Sequence, residues 1–227
     1  MKITYYGHSA FMIKEGNFTF LIDPFISDNP HLDLDTNQLK ADYILLTHGH
    51  GDHVGDALSI AKNTDATIIA PFELATYCER KGAKVHPMHI GGGFNFDFGR
   101  VKLTQALHGS AVFEGDDIIY TGNPCGFLLM INGKTVYYAG DTGLFLDMKL
   151  IGELNKIDIA MLPIGDNFTM GVDDAVYAVD LLKPALSIPM HYNTFGYIMQ
   201  DPEEFVDKIK EKNYEGKVLE INKEYEL

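Results

Sequence analysis

The sequence predicts a single α/β domain in which helices cover a mixed β-sheet assembly. Apolar runs of strand length, bounded by turn residues, recur along the chain, and the last third alternates strands with helices. The 227 residues, of which 46% are hydrophobic and 22% charged, are enough for one sizeable core. Because no linker, low-complexity tract or internal repeat interrupts the pattern, we expect one domain over residues 1–227.

The first third of the chain predicts a strand meander followed by a buried strand. A turn is expected at Glu15-Gly16-Asn17 between two apolar runs. The run from Tyr43 to Leu46 is continuously apolar, as is typical of a strand buried on both faces, and it leads directly into Thr47-His48. We expect strands at 2–6, 11–14, 18–22, 43–46, 66–70 and near Val85, and helices at 54–62 and 72–81.

The middle of the chain predicts two hairpins. Asn132-Gly133 lies between two apolar runs, and this dipeptide favours a tight hairpin turn because both of its residues adopt positive φ. The other turn is expected at Gly99-Arg100. The hairpin strands are expected at 94–98 with 101–107 and at 127–131 with 135–138; helices follow at 144–154, 172–182 and 202–212, and strands at 157–162, 185–189 and 217–219.

The charge of the chain excludes several partners. Eighteen basic and 32 acidic residues give a formal net charge of −14, and the arginines are Arg80 and Arg100 alone. Such a field repels nucleic acid and anionic membranes, so neither is expected as a partner. Cys78 and Cys125 are too few for a disulfide framework, and no apolar leader or bilayer-length apolar run is present. We therefore expect a cytoplasmic protein without a membrane segment.

The segment after the buried strand carries four candidate metal ligands within six residues: His48, His50, Asp52 and His53. In extended backbone, residues i and i+2 point to the same side, so His48 and His50 can converge on one ion. Asp52 and His53 follow the flexible Gly51 and can turn towards a neighbouring point. A solvated polar loop rarely has this composition after a buried strand, so the segment predicts a metal site.

This HxHxDH motif resembles the signature of the metallo-β-lactamase superfamily. The later ligands of that superfamily have counterparts here in His108, Asp141 and His191, each directly after a predicted strand, and Asp23 stands where a structural acid is usual. The stretches Tyr6-Gly7-His8-Ser9, Leu162 to Gly171 and His191 to Phe195 resemble a branch of small bacterial and archaeal metal-dependent hydrolases similar to L-ascorbate-6-phosphate lactonase. The resemblance implies a four-layered αββα sandwich with the metals at one edge.

The resemblance also implies how the ligands are shared between two divalent ions. One ion would be held by His48, His50 and His108, and the other by Asp52, His53 and His191, with Asp141 between them. Nitrogen and oxygen donors suit Zn²⁺, Mn²⁺ or Fe²⁺; we take zinc as the first choice. A water between two such ions loses a proton near neutral pH and becomes the nucleophile, and Asp52 could orient it.

Further residues are candidates for contacts beyond the metals. His8 is expected in the cleft as a catalytic residue, either beside a ligand or against substrate, and the alternative is a hydrogen-bonded structural histidine. Tyr192, Asn193 and Thr194 follow the last ligand and could donate hydrogen bonds to substrate or to a developing oxyanion; the alternative is loop packing. No role is assigned to the histidines His31, His86 and His89.

The resulting functional prediction is a hydrolase that uses a metal-bound hydroxide on a small ester, lactone or phosphoester. One alternative is a phosphodiesterase or RNA-processing nuclease, which the negative charge opposes. A second is a di-iron oxidoreductase on the same fold, but such members resemble HxExDH and this chain has His50 at the second ligand. A third is a non-catalytic metal-binding protein. A site that has lost its activity would usually lack a ligand, and this chain has a residue at every ligand position. The expected partner is a small-molecule substrate, and a homo-oligomer is compatible with the sequence.

Overall fold

The computed structural model describes residues 1–226, which fall into two compact units. Of these residues, unit 1 comprises Met1–Ile90, Gly109–Pro124 and 220–226, and unit 2 comprises Gly91–His108 and Cys125–Leu219. Each unit is therefore built from more than one stretch of sequence. The expectation of one domain over residues 1–227 stays a prediction.

The described residues form fifteen strands and six α-helices, which confirms the predicted mixed α/β class. The strands are β1 (Lys2–Tyr5), β2 (Phe11–Glu15), β3 (Phe18–Ile22), β4 (Tyr43–Leu45), β5 (Thr67–Pro71), β6 (Lys84–Met88), β7 (Gly93–Phe96), β8 (Gly99–Gln105), β9 (Ala111–Glu114), β10 (Asp117–Tyr120), β11 (Cys125–Ile131), β12 (Lys134–Tyr138), β13 (Ile159–Pro163), β14 (Leu186–Met190) and β15 (Glu224–Glu226). The helices are α1 (Gly51–Val54), α2 (Ala57–Thr64), α3 (Phe72–Arg80), α4 (Met148–Leu154), α5 (Val172–Leu182) and α6 (Pro202–Glu211).

Unit 1 contains a seven-stranded sheet in the order β15-β1-β2-β3-β4-β5-β6. The β15 to β3 part is antiparallel and the β3 to β6 part is parallel. Helices α2 and α3 pack on the parallel part, where their apolar faces bury residues such as Ile60 and Leu74 against Ile44 and Ile68. The strand carboxyl ends of this parallel part are where ligand-bearing loops are expected in α/β folds.

Unit 2 contains a six-stranded sheet in the order β14-β13-β12-β11-β8-β7. Here β12, β13 and β14 are parallel, whereas β7, β8, β11 and β12 form an antiparallel series. The β11–β12 turn has φ values of 49° at Asn132 and 77° at Gly133, which confirms the predicted Asn-Gly hairpin. Helices α4, α5 and α6 pack side by side, and the core of the unit includes Val176, Val179 and Phe205.

Several details of the predicted element order were wrong. The strand β15 was not predicted, and the helix expected at 54–62 is divided into α1, which ends at Val54, and α2, which begins at Ala57. The hairpin of β9 and β10 was not predicted, because its apolar residues Phe113, Ile118 and Tyr120 are exposed and do not alternate in the usual way. Residues 217–219 form no strand; the chain there makes only an isolated bridge from Gly216 to Ser187. The expected helix from residue 144 begins only at Met148.

Among residues 1–226, none of the helices has both the length and the apolar character that crossing a bilayer requires.

Candidate metal centre

The loop after β4 carries His48 and His50, the helix α1 carries Asp52 and His53, and the loop is packed so closely that it requires a glycine. His50 adopts extended backbone as the N-cap of α1, so the chain turns between His50 and Asp52. A Cβ on Gly49 would lie 2.2 Å from Thr121 Oγ1 and 3.0 Å from the Ala111 carbonyl carbon. The Gly49 amide also donates to Ser110 Oγ at 3.1 Å. The loop therefore lies directly against the base of the β9–β10 hairpin, which no larger residue at position 49 would allow.

A buried carboxylate, Asp23, organises this loop from beneath. It has no solvent exposure and accepts hydrogen bonds from the Thr47 amide at 2.9 Å and the Thr47 hydroxyl at 2.7 Å. His53 Nδ1 lies 2.8 Å from the same carboxylate. Asp23 takes a positive φ of 43°, an unfavourable conformation for a non-glycine residue that is typical of functional sites. Asp23 thus acts as a structural acid by binding Thr47 and His53 together.

These contacts determine the protonation of two histidine rings. His53 Nδ1 faces a carboxylate oxygen and is therefore the protonated nitrogen, which leaves the lone pair on Nε2. The Thr47 hydroxyl donates to Asp23 and lies 2.9 Å from His48 Nδ1, so it accepts the proton of that nitrogen. His48 Nε2 is then also unprotonated. Ligating histidines are held in this way, with the second ring nitrogen bound to a carboxylate or another polar oxygen.

The spacing of the His48 and His50 nitrogens fits a shared metal ion. His48 Nε2 and His50 Nδ1 lie 3.0 Å apart, and the two rings are nearly perpendicular at 83°. Two nitrogens that each bind one ion at about 2.1 Å are about 3.0 Å apart at a right angle and about 3.4 Å apart at a tetrahedral angle. The observed pair falls at the lower end of this range, so the spacing of these two nitrogens is compatible with one shared divalent ion.

A second group of donors in unit 1 comprises His8, Asp52 and His53. One ligand atom from each lies within 4.8 Å of the others. His8 Nε2 is 2.9 Å from Asp52 Oδ2, and His53 Nε2 is 3.9 Å from the same oxygen. His8 is buried and has a positive φ of 55°, so its backbone is bent to present the ring to Asp52. Asp52 keeps 29% of its side chain exposed. The structure thus brings His8, predicted as a cleft residue, into contact with a candidate ligand.

Unit 2 gathers its three candidate ligands around one carboxylate oxygen. Asp141 Oδ2 is 3.0 Å from His191 Nε2 and 3.6 Å from His108 Nε2, and both Asp141 and His191 are buried. The strands that precede these residues, β8, β12 and β14, run in the same direction, so their carboxyl ends meet at one edge of the sheet. His191 has a positive φ of 56°, which turns its ring back towards Asp141.

Backbone hydrogen bonds hold the loops of unit 2 together. Thr142 Oγ1 accepts from the Leu107 amide at 2.9 Å, and the Gly143 amide donates to the Leu107 carbonyl at 3.0 Å. A Cβ on Gly165 would lie 2.3 Å from the His191 carbonyl oxygen, so the loop after β13 packs directly on His191. His108, Asp141 and His191 are therefore presented by loops that brace one another.

The residues after His191 are used partly within their own loop. Asn193 has a positive φ of 60°, its Oδ1 accepts from the Gln200 amide at 2.8 Å, and its amide donates to the Ile198 carbonyl at 2.8 Å. Thr194 Oγ1 lies 3.4 Å from the Tyr192 carbonyl oxygen. Asn193 thus closes the loop, and substrate contacts by Tyr192, Asn193 and Thr194 stay a prediction.

The sequence prediction assigned no role to Thr47, although Asp23 orients both His53 and, through the Thr47 hydroxyl, His48. The sequence feature that could have pointed to Thr47 is its position directly before the first ligand, His48.

Comparisons with known proteins show the family of this chain. The family model described as beta-lactamase superfamily domain matches residues 19–192. Curated relatives described as UPF0173 metal-dependent hydrolases are 58% identical in Anoxybacillus flavithermus, over 228 residues, and 55% identical in Bacillus cereus, over 229 residues; each alignment covers 100% of both chains.

The solved structure of Igni18, a metallo hydrolase from the archaeon Ignicoccus hospitalis, shares the fold. It has a TM-score of 0.90 and 37% identity and covers 100% of this chain and 98% of its own. The match confirms the fold class that the HxHxDH motif implied. The chain therefore belongs to the metallo-β-lactamase superfamily and is one of its metal-dependent hydrolases.

Proposed function

We propose that this chain hydrolyses a small ester, lactone or phosphoester at a centre of two divalent ions, with zinc as the first choice and manganese or iron as alternatives. The observation that carries the proposal is the hydrogen-bond system of Asp23, Thr47 and the two histidines. It leaves the lone pair of His48 and of His53 on Nε2, which is the arrangement that histidine ligands of a metal ion ordinarily have.

The ligand assignment is the one that the HxHxDH motif and the later ligands of the superfamily imply. One ion is assigned to His48, His50 and His108, and the other to Asp52, His53 and His191, with Asp141 shared. Bound there, divalent ions supply a Lewis acid and bring the pKa of a coordinated water towards neutrality. Asp141 Oδ2 is suited to the shared position because two histidine nitrogens already face it, at 3.0 and 3.6 Å.

Asp52 is the residue assigned to hold or accept a proton of the attacking water. Its carboxylate is partly exposed, and one of its oxygens is held by His8 Nε2 at 2.9 Å. A carboxylate held in place by its neighbours presents its oxygens in a fixed direction, which general-base catalysis requires. His8 then acts by orienting Asp52, and a direct substrate contact by His8 is the alternative.

The residues after His191 are assigned to the substrate. Tyr192 and Thr194 carry hydroxyls and Asn193 carries a side-chain NH₂ group, all of which are hydrogen-bond donors, whereas the Asn193 side-chain oxygen accepts a bond within the loop. Donors of this kind stabilise negative charge on the substrate oxygen in the transition state.

The test combines metal analysis with a substrate panel. The purified protein is analysed for metal content, stripped with a chelator, reloaded with Zn²⁺, Mn²⁺ or Fe²⁺, and assayed on p-nitrophenyl esters, lactones and phosphoesters. His48→Ala is the site variant, and His89→Ala is the matched control because His89 is an exposed histidine that stacks on Phe72 and is not one of the candidate donors.

We expect metal-dependent turnover of at least one class, lost in His48→Ala and kept in His89→Ala. Equal turnover by the stripped protein, the loaded protein and His48→Ala would contradict the proposal. Turnover confined to nucleotide phosphodiesters, or oxygen consumption by the iron form without hydrolysis, would replace it with the nuclease or the di-iron oxidoreductase.

The proposed partner is a small molecule, and neither nucleic acid nor membrane is proposed, because a net charge of −14 opposes both. The cytoplasm is the proposed compartment. Sedimentation of the purified protein measures whether it forms the homo-oligomer that the sequence allows.

A further inference from the structure

Exposed apolar side chains of unit 2 concentrate in the loops that carry its candidate ligands. Phe168, in the loop after β13, is 52% exposed, and Tyr197, in the loop after His191, is 78% exposed. Their ring centroids lie 6.4 Å apart at 73°, an edge-to-face pair. Leu146 and Met199, in the neighbouring loop segments, are also exposed. Large apolar groups exposed together beside a candidate site are typical of a ligand-binding surface.

The two loops that carry this aromatic pair are anchored next to the candidate ligands. The loop of Phe168 packs through Gly165 on His191, and the amide of Met170 donates to the Thr142 carbonyl at 2.9 Å. The loop of Tyr197 is closed by Asn193, whose Oδ1 accepts from the Gln200 amide at 2.8 Å. Tyr197 therefore lies six residues after His191, and the loop of Phe168 is bonded to Thr142, the residue that follows Asp141.

The charge of the same loops argues against an anionic substrate. Positions 135–148, 157–182 and 184–207 hold no Lys or Arg, and neither do positions 41–61 and 103–133 of the remaining ligand-bearing segments. Asp166 and Asp201 add negative charge beside the aromatic pair. Sites that recognise phosphate or carboxylate groups ordinarily use Arg or Lys for this purpose. The two divalent ions of the proposed centre would meet the charge of the reacting group, so this composition bears on the rest of the substrate, for which it favours an uncharged group.

We propose that Phe168 and Tyr197 form an apolar subsite for the acyl or aromatic group of an uncharged ester or lactone. The inference rests on the proposed function and narrows it, because it favours neutral esters and lactones over phosphoesters. The ester carbonyl lies at the metal ligands, and the apolar group packs on the exposed ring faces.

The expected selectivity follows from the transfer free energy of a methylene group. Full burial of one methylene group raises binding affinity about fourfold. On a surface that leaves one side of the group open to solvent, the free energy gained is about half as large, which corresponds to about twofold in affinity. Hexanoyl has four more methylenes than acetyl, so kcat/KM for p-nitrophenyl hexanoate should exceed that for p-nitrophenyl acetate by about 16-fold.

The first experiment compares this ratio between variants of the metal-loaded protein. Phe168→Ala and Tyr197→Ala should reduce it to about threefold or less, since each removes one side of the subsite. Tyr177→Ala is the matched control, because Tyr177 is an aromatic residue 53% exposed on α5 outside these loops. Its ratio should equal that of the unmodified protein. A ratio near one in the unmodified protein, or an unchanged ratio in both loop variants, would overturn the inference while leaving ester hydrolysis itself in place.

The second experiment needs no turnover, so it separates failure of this inference from failure of the proposed function. Titration calorimetry on chelator-treated protein measures the binding of 2-pentanone, 2-nonanone and octyl phosphate. We expect 2-nonanone to bind at least tenfold more tightly than 2-pentanone, and this preference to be lost in Phe168→Ala and Tyr197→Ala. Tighter binding of octyl phosphate than of 2-nonanone would overturn the inference. So would sedimentation showing that the loop substitutions dissociate an oligomer, because a second copy would then cover the aromatic pair.

Discussion

Replacement of Asp23 by Asn tests the hydrogen-bond system beneath the candidate ligands. Asp23 Oδ1 accepts from the Thr47 amide, and Oδ2 faces the Thr47 hydroxyl and His53 Nδ1. Asparagine keeps the shape but has one acceptor and one donor group. If its oxygen replaces Oδ2, its NH₂ group opposes the Thr47 N–H. If its oxygen replaces Oδ1, its NH₂ group opposes His53 Nδ1–H, and that ring must move its proton to Nε2.

The two orientations have different consequences that can be measured. A buried donor left without an acceptor costs about 2 kcal/mol, which lowers Tm by about 4 to 8 °C in a protein of this size. Transfer of the His53 proton to Nε2 instead blocks the nitrogen that would bind the metal. Loss of such a supporting contact typically lowers metal affinity by about 10- to 100-fold. We therefore expect Asp23→Asn to lower either the Tm of the metal-free protein or its metal affinity by these amounts.

The assays are thermal unfolding of the chelator-treated protein and competition for Zn²⁺ against a chromophoric chelator. Asp28→Asn is the matched control, because Asp28 is exposed in the same segment and its substitution changes the charge equally. The assigned role of Asp23 would be refuted if Asp23→Asn had both a Tm within 1 °C of that of the unmodified protein and a Zn²⁺ affinity within threefold of it.

Three further predictions follow from local geometry. Gly133→Ala places a side chain at a φ of 77° and should lower the free energy of unfolding by about 1 to 2 kcal/mol in urea titrations, whereas Gly196→Ala, where a Cβ meets nothing within 4 Å, should change it by less than about 1 kcal/mol. Gly49→Ala creates a 2.2 Å contact with Thr121 Oγ1 and should reduce bound metal; Gly49→Ala/Thr121→Ala should recover part of it, and equal losses in both would contradict this contact as the cause. Burial raises the pKa of Cys78 from 9.0 to about 12, so this thiol stays protonated in the folded state while the unfolded state ionises. The contribution of Cys78 is fully present below pH 9 and is lost as pH rises towards 12, so stability should fall less steeply with pH in Cys78→Ala than in the unmodified protein; identical slopes would contradict the shift.

The order of strands and helices was largely predictable from local patterns. The Asn132-Gly133 turn was predicted because its positive φ values suit few other residues, and α5 matches the predicted limits of 172 and 182. The β9–β10 hairpin escaped prediction because exposed Phe113 and Ile118 obscure the polar face that an ordinary surface hairpin shows. The hairpin contributes a long-range contact, because Thr121 and Ser110 at its base pack on Gly49.

The candidate ligands were named from sequence because their residue types and their positions after strands are local properties. The protonation of His48 and His53 could not be predicted in this way, because it depends on residues that are distant in the chain. Asp23 lies 24 residues from Thr47 and 30 from His53. The contact of His8 with Asp52 spans 44 residues and likewise requires the β1 loop to meet α1.

By itself, the sequence determined the family, the predicted donor set and the negative charge, because these depend on residue identity and on spacing along one chain. Only the tertiary structure decided which nitrogen of His48 and His53 carries the proton, which side chain holds Asp52, and that Phe168 and Tyr197 form a pair. Each of these depends on hydrogen bonds or ring contacts of a few ångströms between segments far apart in sequence, and no local pattern records such distances.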